Sequence, residues 1–134
     1  MRIVVDAMGS DNAPNPEVKG AVTASLLSDD EIILVGDKPT LEPALAKFSK
    51  QGRISIVHAS ERGAMTDSPM VAVRKKKDSP LLVGLRLVKE GEADAFISAG
   101  NTGAVMMGSR VVLGPIKGVS RSALCQSLPT IPGR

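Results

Sequence analysis

Four short apolar runs, Ile3-Val4-Val5, Ile32-Ile33-Leu34-Val35, Ile54-Ser55-Ile56-Val57 and Ala95-Phe96-Ile97, alternate along the chain with stretches of helical period. Most are rich in β-branched residues, which suit a pleated strand, and they do not alternate apolar with polar. Strands of that kind are buried on both faces, which requires a parallel sheet with a helical layer on each side. The expectation is therefore a three-layer α/β/α fold around a mostly parallel sheet.

The intervening stretches fit those helical layers. Val18, Ala21, Val22 and Leu26 fall on one helical face, with Pro16 near the first turn, where its missing N–H does no harm. Leu41, Ala44, Leu45 and Phe48 repeat at the same spacing. A third helix has Ser79 as N-cap, Pro80 at its first position, Leu81, Leu85 and Val88 as inner stripe, and Gly91 just past its end. Asp67-Ser68-Pro69 can start a short helix through Val73, within the long strandless stretch from His58 to Asp78, a length common among lids and binding flaps. Val105, Met106, Val111, Val112 and Leu113 suggest a helix closed by Gly114-Pro115, and Ser122 to Leu128 reads as a fifth strand stopped by Pro129. A sheet ending on a strand lacks its covering layer. Residues 1–134 are accordingly expected to be the N-terminal part of a single α/β domain, with the C-terminal remainder absent.

Composition narrows the function. The chain has 134 residues, is 43% hydrophobic and 23% charged, and carries a net charge of +3. One cysteine, Cys125, and one histidine, His58, allow neither an internal disulfide nor a Cys/His zinc set. With the early Asp6 interrupting the first apolar run, this points to the cytoplasm. No Trp or Tyr and only Phe48 and Phe96 leave little for base stacking, so nucleic acid is not an expected partner.

In open α/β sheets ligands bind beyond the carboxyl ends of the strands. Asp6-Ala-Met-Gly9-Ser10-Asp11, Gly36-Asp37, His58-Ala-Ser60-Glu61 and Ser98-Ala-Gly100-Asn101-Thr102-Gly103 follow the four runs and would line one rim. The last segment opens a helix, where unpaired N–H groups and the positive end of the dipole suit an anion. Gly100 and Gly103 permit close approach, and Asn101 and Thr102 can donate to phosphate oxygens or merely cap the helix. The segment is neither a P-loop nor a dinucleotide fingerprint, so no nucleotide cofactor is expected. Asp6 and Asp11 are either ligand-positioning carboxylates, with metal binding conceivable only if a cation accompanied the phosphate, or turn residues leading into the helix. Arg74-Lys-Lys-Lys77 can supply cations to a phosphate or form a solvated face. His58 has no carboxylate orienter in view, and Cys125, inside the expected fifth strand, reads as a buried inert thiol.

Six stretches in order then resemble one family: Met1-Arg-Ile-Val-Val-Asp-Ala-Met-Gly-Ser-Asp-Asn-Ala-Pro14, Ile33-Leu-Val-Gly-Asp37, Val57-His-Ala-Ser60, Arg74-Lys-Lys-Lys-Asp-Ser79, Leu87-Val-Lys-Glu-Gly-Glu-Ala-Asp94 and Ser98-Ala-Gly-Asn-Thr-Gly-Ala104. They resemble the PlsX-type phosphate acyltransferases of bacterial phospholipid synthesis. The resemblance implies a Rossmann-like fold of the isocitrate and isopropylmalate dehydrogenase type, here truncated. It implies transfer of a fatty acyl group from acyl-acyl carrier protein to inorganic phosphate, without a cofactor or a resident metal. It also implies a homodimer, peripheral membrane association and contact with a membrane glycerol-3-phosphate acyltransferase. The substrate-binding set expected on these matched positions is Asn101, Thr102, Gly103, Gly100, Ser98, Asp6, Gly9, Asp11, Lys77 and Ser79; no general acid or base is identified.

The chain departs from the family pattern at Ser10, where a second glycine is usual, at Pro80, where a second serine is usual, and at Ser122, where proline is usual. The reading from another class is a non-catalytic anion-binding or interaction module that keeps the fold.

Overall fold

The computed structural model describes residues 1–61 and 69–125. All four expected strands form: β1 (Arg2–Asp6), β2 (Glu31–Gly36), β3 (Ile54–His58) and β4 (Ala95–Ser98). They make one sheet in the order β3-β2-β1-β4, with every neighbouring pair parallel. The chain thus steps outward from β1 to β3 and then returns to lay β4 on the other side of β1. That reversal makes the carboxyl ends of β1 and β4 the switch point of the sheet, where open α/β folds leave a crevice. The register pairs Asp6 with Ser98 there.

The helices are α1 (Asn15–Leu27), α2 (Lys38–Leu45), α3 (Pro69–Lys75), α4 (Pro80–Lys89) and α5 (Thr102–Val112). On one face of the sheet, Val18 and Ala21 of α1 and Leu41 and Ala44 of α2 pack with Ile32 and Leu34. On the other, Val83 of α4 packs with Val4, Ile33 and Val35. Alternate residues of β2 therefore serve opposite cores, which is why its sequence reads as an unbroken apolar run. α5 and α3 extend the α4 layer: Val73, Leu81, Leu82, Leu85 and Ala104 share a third cluster. Leu34, Leu41 and Leu85 are fully buried, and truncating any of them to Ala is expected to cost about 2–5 kcal/mol.

Close approaches are carried by glycine where a side chain would not fit. A Cβ on Gly84 would stand 2.5 Å from the Phe96 ring, so this glycine lets α4 lie directly on β4. At Gly91, past the end of α4, φ is +74°, as the expected C-terminal stop requires.

Several expectations change. Ser25, not Leu26, completes the inner face of α1; Leu26 is 55% exposed. The backbone N–H of Gly52 donates to Ser25 Oγ at 3.0 Å, and that hydroxyl donates to the Val22 carbonyl at 2.9 Å, so the serine is buried with its polar atom satisfied. Phe48 lies just beyond α2 but still packs on the same core. The short helix expected to start at Asp67 is seen from Pro69; Asp67 and Ser68 lie outside the described residues. Ser122 to Cys125 forms no strand: its residues are exposed and pair with nothing in the sheet, which ends at β4. Residues 126–128 of that expected strand lie outside the described residues. Cys125 is consequently exposed, not buried.

The α1 face is bare beside β4. Ile97 is 54% exposed, and a groove of about 360 Å³ opens there between α1 and the strands, lined by Val5, Pro16, Gly20, Ala24, Ile97 and Ala99 among others.

Candidate anion site at the switch point

At the switch point the loops after β1 and β4 are tied together by hydrogen bonds. Ser98 Oγ donates to Asp6 Oδ2 at 2.8 Å and accepts from the Gly100 N–H at 3.1 Å. The Met8 N–H donates to the other Asp6 oxygen at 3.1 Å. Asp6 is only 5% exposed, and burial, the dominant influence, holds its carboxyl above the usual carboxylate range. The Ser98 and Met8 donors pull the other way, while the nearby Glu17 charge adds to the upward push.

Gly9 and Gly100 let the two loops touch. A Cβ on Gly9 would lie 2.6 Å from Asp6 Oδ2 and 3.1 Å from the Gly100 nitrogen, and one on Gly100 would lie 3.3 Å from the Gly9 carbonyl. Glycine at 9 is therefore required by contact, since no side chain fits between the loops.

α5 rises from this junction. Asn101 is its N-cap, its side-chain oxygen accepting from the Ala104 N–H at 3.0 Å, and its carbonyl accepts from the Val105 N–H. The capping role therefore holds for Asn101. The N–H groups of Thr102 and Gly103 have no acceptor among the described residues and sit at the positive end of the helix. These backbone donors, more than the side chain of Asn101, are the groups at the start of α5 that could hold an anion.

The structure thus brings Ser98, Gly100, Asn101, Thr102, Gly103, Asp6 and Gly9 to one place. Asp11, two residues after Gly9, is exposed in the turn at residues 11–14 that leads into α1.

Lys77 and Ser79 stand before α4, whose first turn shares the third core cluster with the first turn of α5. The Lys77 side chain is exposed, and its carbonyl accepts from Arg86 Nη1 at 2.9 Å. Ser79 occupies the N-cap position and is 3% exposed, yet its hydroxyl makes no cap hydrogen bond; only its carbonyl serves the helix, accepting from Val83. Ser79 Oγ and Ser10 Oγ are both buried without a hydrogen-bond partner among the described residues. A buried orphan hydroxyl costs about 1–3 kcal/mol.

One polar group escaped the sequence reading. The N–H and Oγ of Ser60 donate to Asp78 Oδ2 at 2.8 and 2.5 Å, and the Asp78 N–H donates to Glu61 Oε2 at 2.7 Å. The two Ser60 bonds, the hydroxyl's first, hold the Asp78 carboxyl below the usual range. No local pattern marks a pair 18 residues apart. His58 accepts the Lys38 N–H at its Nδ1, 3.1 Å away, and so buttresses the start of α2; it stands apart from the switch point.

Comparison with known proteins fits this arrangement. A model of the family described as fatty acid synthesis protein matches residues 1–134. A phosphate acyltransferase of Alkaliphilus oremlandii is 49% identical over 99% of this chain and 40% of its own length. Those of Koribacter versatilis and Geobacter sulfurreducens are 52% and 50% identical, over 96% and 100% of this chain and 36% and 39% of theirs. The chain spans about two fifths of the length of the relatives it matches. With a parallel sheet, a glycine-lined switch point and a match along its whole length, the chain belongs to the fatty acid synthesis protein family.

Proposed function

We propose that this chain is the N-terminal part of a single-domain phosphate acyltransferase, and that it holds the inorganic phosphate that accepts a fatty acyl group from acyl-acyl carrier protein. The observation that carries the reading is the junction at the switch point, where Asp6, Ser98, Gly9 and Gly100 fix the loop that presents the Thr102 and Gly103 amides. The names of the relatives support the chemistry, and their greater length supports the domain reading. The bare β4 edge and its apolar groove are where further strands and a helix would complete the sheet.

A phosphate oxygen attacks the thioester carbonyl carbon, the carbonyl becomes a tetrahedral oxyanion, and the C–S bond breaks. The products are acyl phosphate and the carrier protein's thiolate, which takes a proton from solvent. Thiolate is a good leaving group and phosphate is itself the nucleophile, so the protein's task is to position and to stabilise charge. The amides of Thr102 and Gly103 hold the phosphate. Asp6 acts through Ser98 as a positioning residue, its oxygens turned to Ser98 and Met8 and away from a bound anion. Lys77 and the Ser79 hydroxyl, which has no hydrogen-bond partner among the described residues, are further substrate contacts in this reading. Homodimerisation, a cytoplasmic location, peripheral membrane association and delivery of acyl phosphate to a membrane glycerol-3-phosphate acyltransferase belong to the same reading. No described helix is long and apolar enough to cross a membrane.

The test is a chimera in which this segment replaces the matching part of the Alkaliphilus oremlandii protein, assayed for acyl phosphate by hydroxylamine trapping. Activity that disappears in the Asn101→Ala, Thr102→Ala double variant supports the site. Undiminished activity in that variant overturns it.

A further inference from the structure

Two helices open on the rim at the switch point, and only one of them uses its cap. At α5 the Asn101 side chain accepts from the Ala104 N–H. At α4 the capping residue is Ser79, with the extended backbone of an ordinary N-cap (φ −75°, ψ 149°) and a carbonyl that accepts from the Val83 N–H at 2.9 Å, yet its Oγ caps nothing. Ser79 is 3% exposed and its Oγ has no hydrogen-bond partner among the described residues. Buried hydroxyls are as a rule bonded, as Ser25 Oγ is here. Pro80 has no N–H, and the N–H groups of Leu81 and Leu82 find no acceptor among the described residues. Standing two bonds from the Cα of the capping residue, Ser79 Oγ joins these amides at the positive mouth of the helix.

The fold sets that mouth beside the start of α5. α4 runs from the carboxyl rim towards the amino ends of the strands, where the chain that follows it delivers the Asp94 N–H to the Arg2 carbonyl. Midway, Gly84 lies against the Phe96 ring. Ser79 is five residues before Gly84, about 7.5 Å towards the rim. Ser98 is two residues after Phe96 on the same face of β4, about 6.6 Å in the same direction. The mouth of α4 is therefore level with Ser98, where the turn into α5 begins, and Leu81 and Leu82 share a core cluster with Ala104 in the first turn of α5.

We infer that the mouth of α4 is the oxyanion hole of the transfer, with Ser79 Oγ as its side-chain donor and the Leu81 and Leu82 amides beside it. The inference rests on the transferase reading given above and divides the two negative charges of that reaction between two helices. The start of α5 holds the phosphate. As a phosphate oxygen bonds to the thioester carbon, the C=O π electrons move onto the carbonyl oxygen, and the mouth of α4 receives that charge. When the C=O bond re-forms, the C–S bond breaks and the thiolate leaves to take a proton from solvent; Ser79 neither gains nor loses one. Because Oγ makes no bond beforehand, turning it about Cα–Cβ towards the oxyanion breaks nothing. An unpaired donor of this kind destabilises the fold and is satisfied only when the charge forms, so its effect falls on the chemical step and not on substrate binding.

The experiment places Ser79→Ala in the 134-residue chain and in the chimera, with Ser25→Ala in the chain as the contrast of a buried hydroxyl that is bonded. In denaturant unfolding of the chain, Ser79→Ala is expected to have a midpoint at or above that of the parent, and Ser25→Ala one below it. In the chimera, Ser79→Ala is expected to lower kcat about a hundredfold, with KM for phosphate and for the acyl substrate little changed. Full kcat in that variant, or a loss confined to a raised KM for phosphate, overturns the inference and leaves the transferase reading standing. A Ser79→Ala midpoint below that of the parent also overturns it, because the hydroxyl is then structural. A parent chimera that forms no acyl phosphate overturns the transferase reading, and the inference with it.

Discussion

The two ends of the parallel sheet's rim each hold an aspartate bonded to a serine, and the two pairs are opposite in character. At the switch point, Asp6 is buried, shielded by glycines 9 and 100, and holds Ser98. Beyond β3, Asp78 is accessible to solvent and receives Ser60. The first pair welds two loops that cannot separate without exposing a carboxylate and breaking the turn into α5. The second pins a connection to the rim at little desolvation cost. The same two residue types thus do different work because one pair is buried between two adjacent strands at the switch point and the other is exposed in the connection beyond β3.

The largest effect should come from forcing the welded loops apart. Gly9→Ala puts a methyl 2.6 Å from Asp6 Oδ2, and overpacking of that kind costs about 1–3 kcal/mol. Gly20→Ala is the contrast: nothing lies within 4 Å of its added Cβ, and replacing a helical glycine there should stabilise by about 0.5–1 kcal/mol. Denaturant unfolding of both variants measures the difference.

Removing the hydroxyls should come next. Ser98→Ala takes a donor from a buried carboxylate and should cost about 1–3 kcal/mol, while Ser60→Ala should be hard to distinguish from an ordinary surface substitution. If the two losses are equal, the distinction between the ends is wrong.

The smallest effect is the dependence on pH, and its signs are opposite. Burial raises the Asp6 pKa in the folded chain, so the folded state binds its proton more tightly and this group's contribution to stability grows as pH falls from neutral through the raised value. Asp6→Asn keeps an acceptor for Ser98 but sets its NH2 against the Met8 N–H, and it removes this pH-linked contribution, so its stability relative to the parent should fall as pH drops from neutral. Ser60 lowers the Asp78 pKa, so its contribution is present above the ordinary aspartate value and is lost as pH falls through the lowered one. Asp78→Asn should therefore flatten the acid limb that Asp6→Asn steepens.

What was legible in the sequence follows the range of the interactions. β1 to β4 were readable because a strand buried on both faces must be apolar throughout, and β-branched runs of that length have few other homes. The turn after Ser98 was readable because glycines and a capping residue act locally. Leu26 misled because the helical period admits either position 25 or position 26 to the inner face, and the choice was made by the Gly52 loop, far away in sequence. Cys125 misled because a short apolar stretch becomes a strand only when an edge receives it. The Ser60–Asp78 pair, and the closeness of Gly9 to Gly100, exist only once the crossovers have placed the loops side by side.

The central claim is that the amides opening α5 hold phosphate. Titrating the isotope-labelled chain with inorganic phosphate and following backbone amide shifts tests it directly. The account predicts saturable shifts centred on Thr102 and Gly103, weakened in Gly9→Ala. Saturable shifts confined to the Arg74–Lys77 stretch, with Thr102 and Gly103 unmoved, would contradict it.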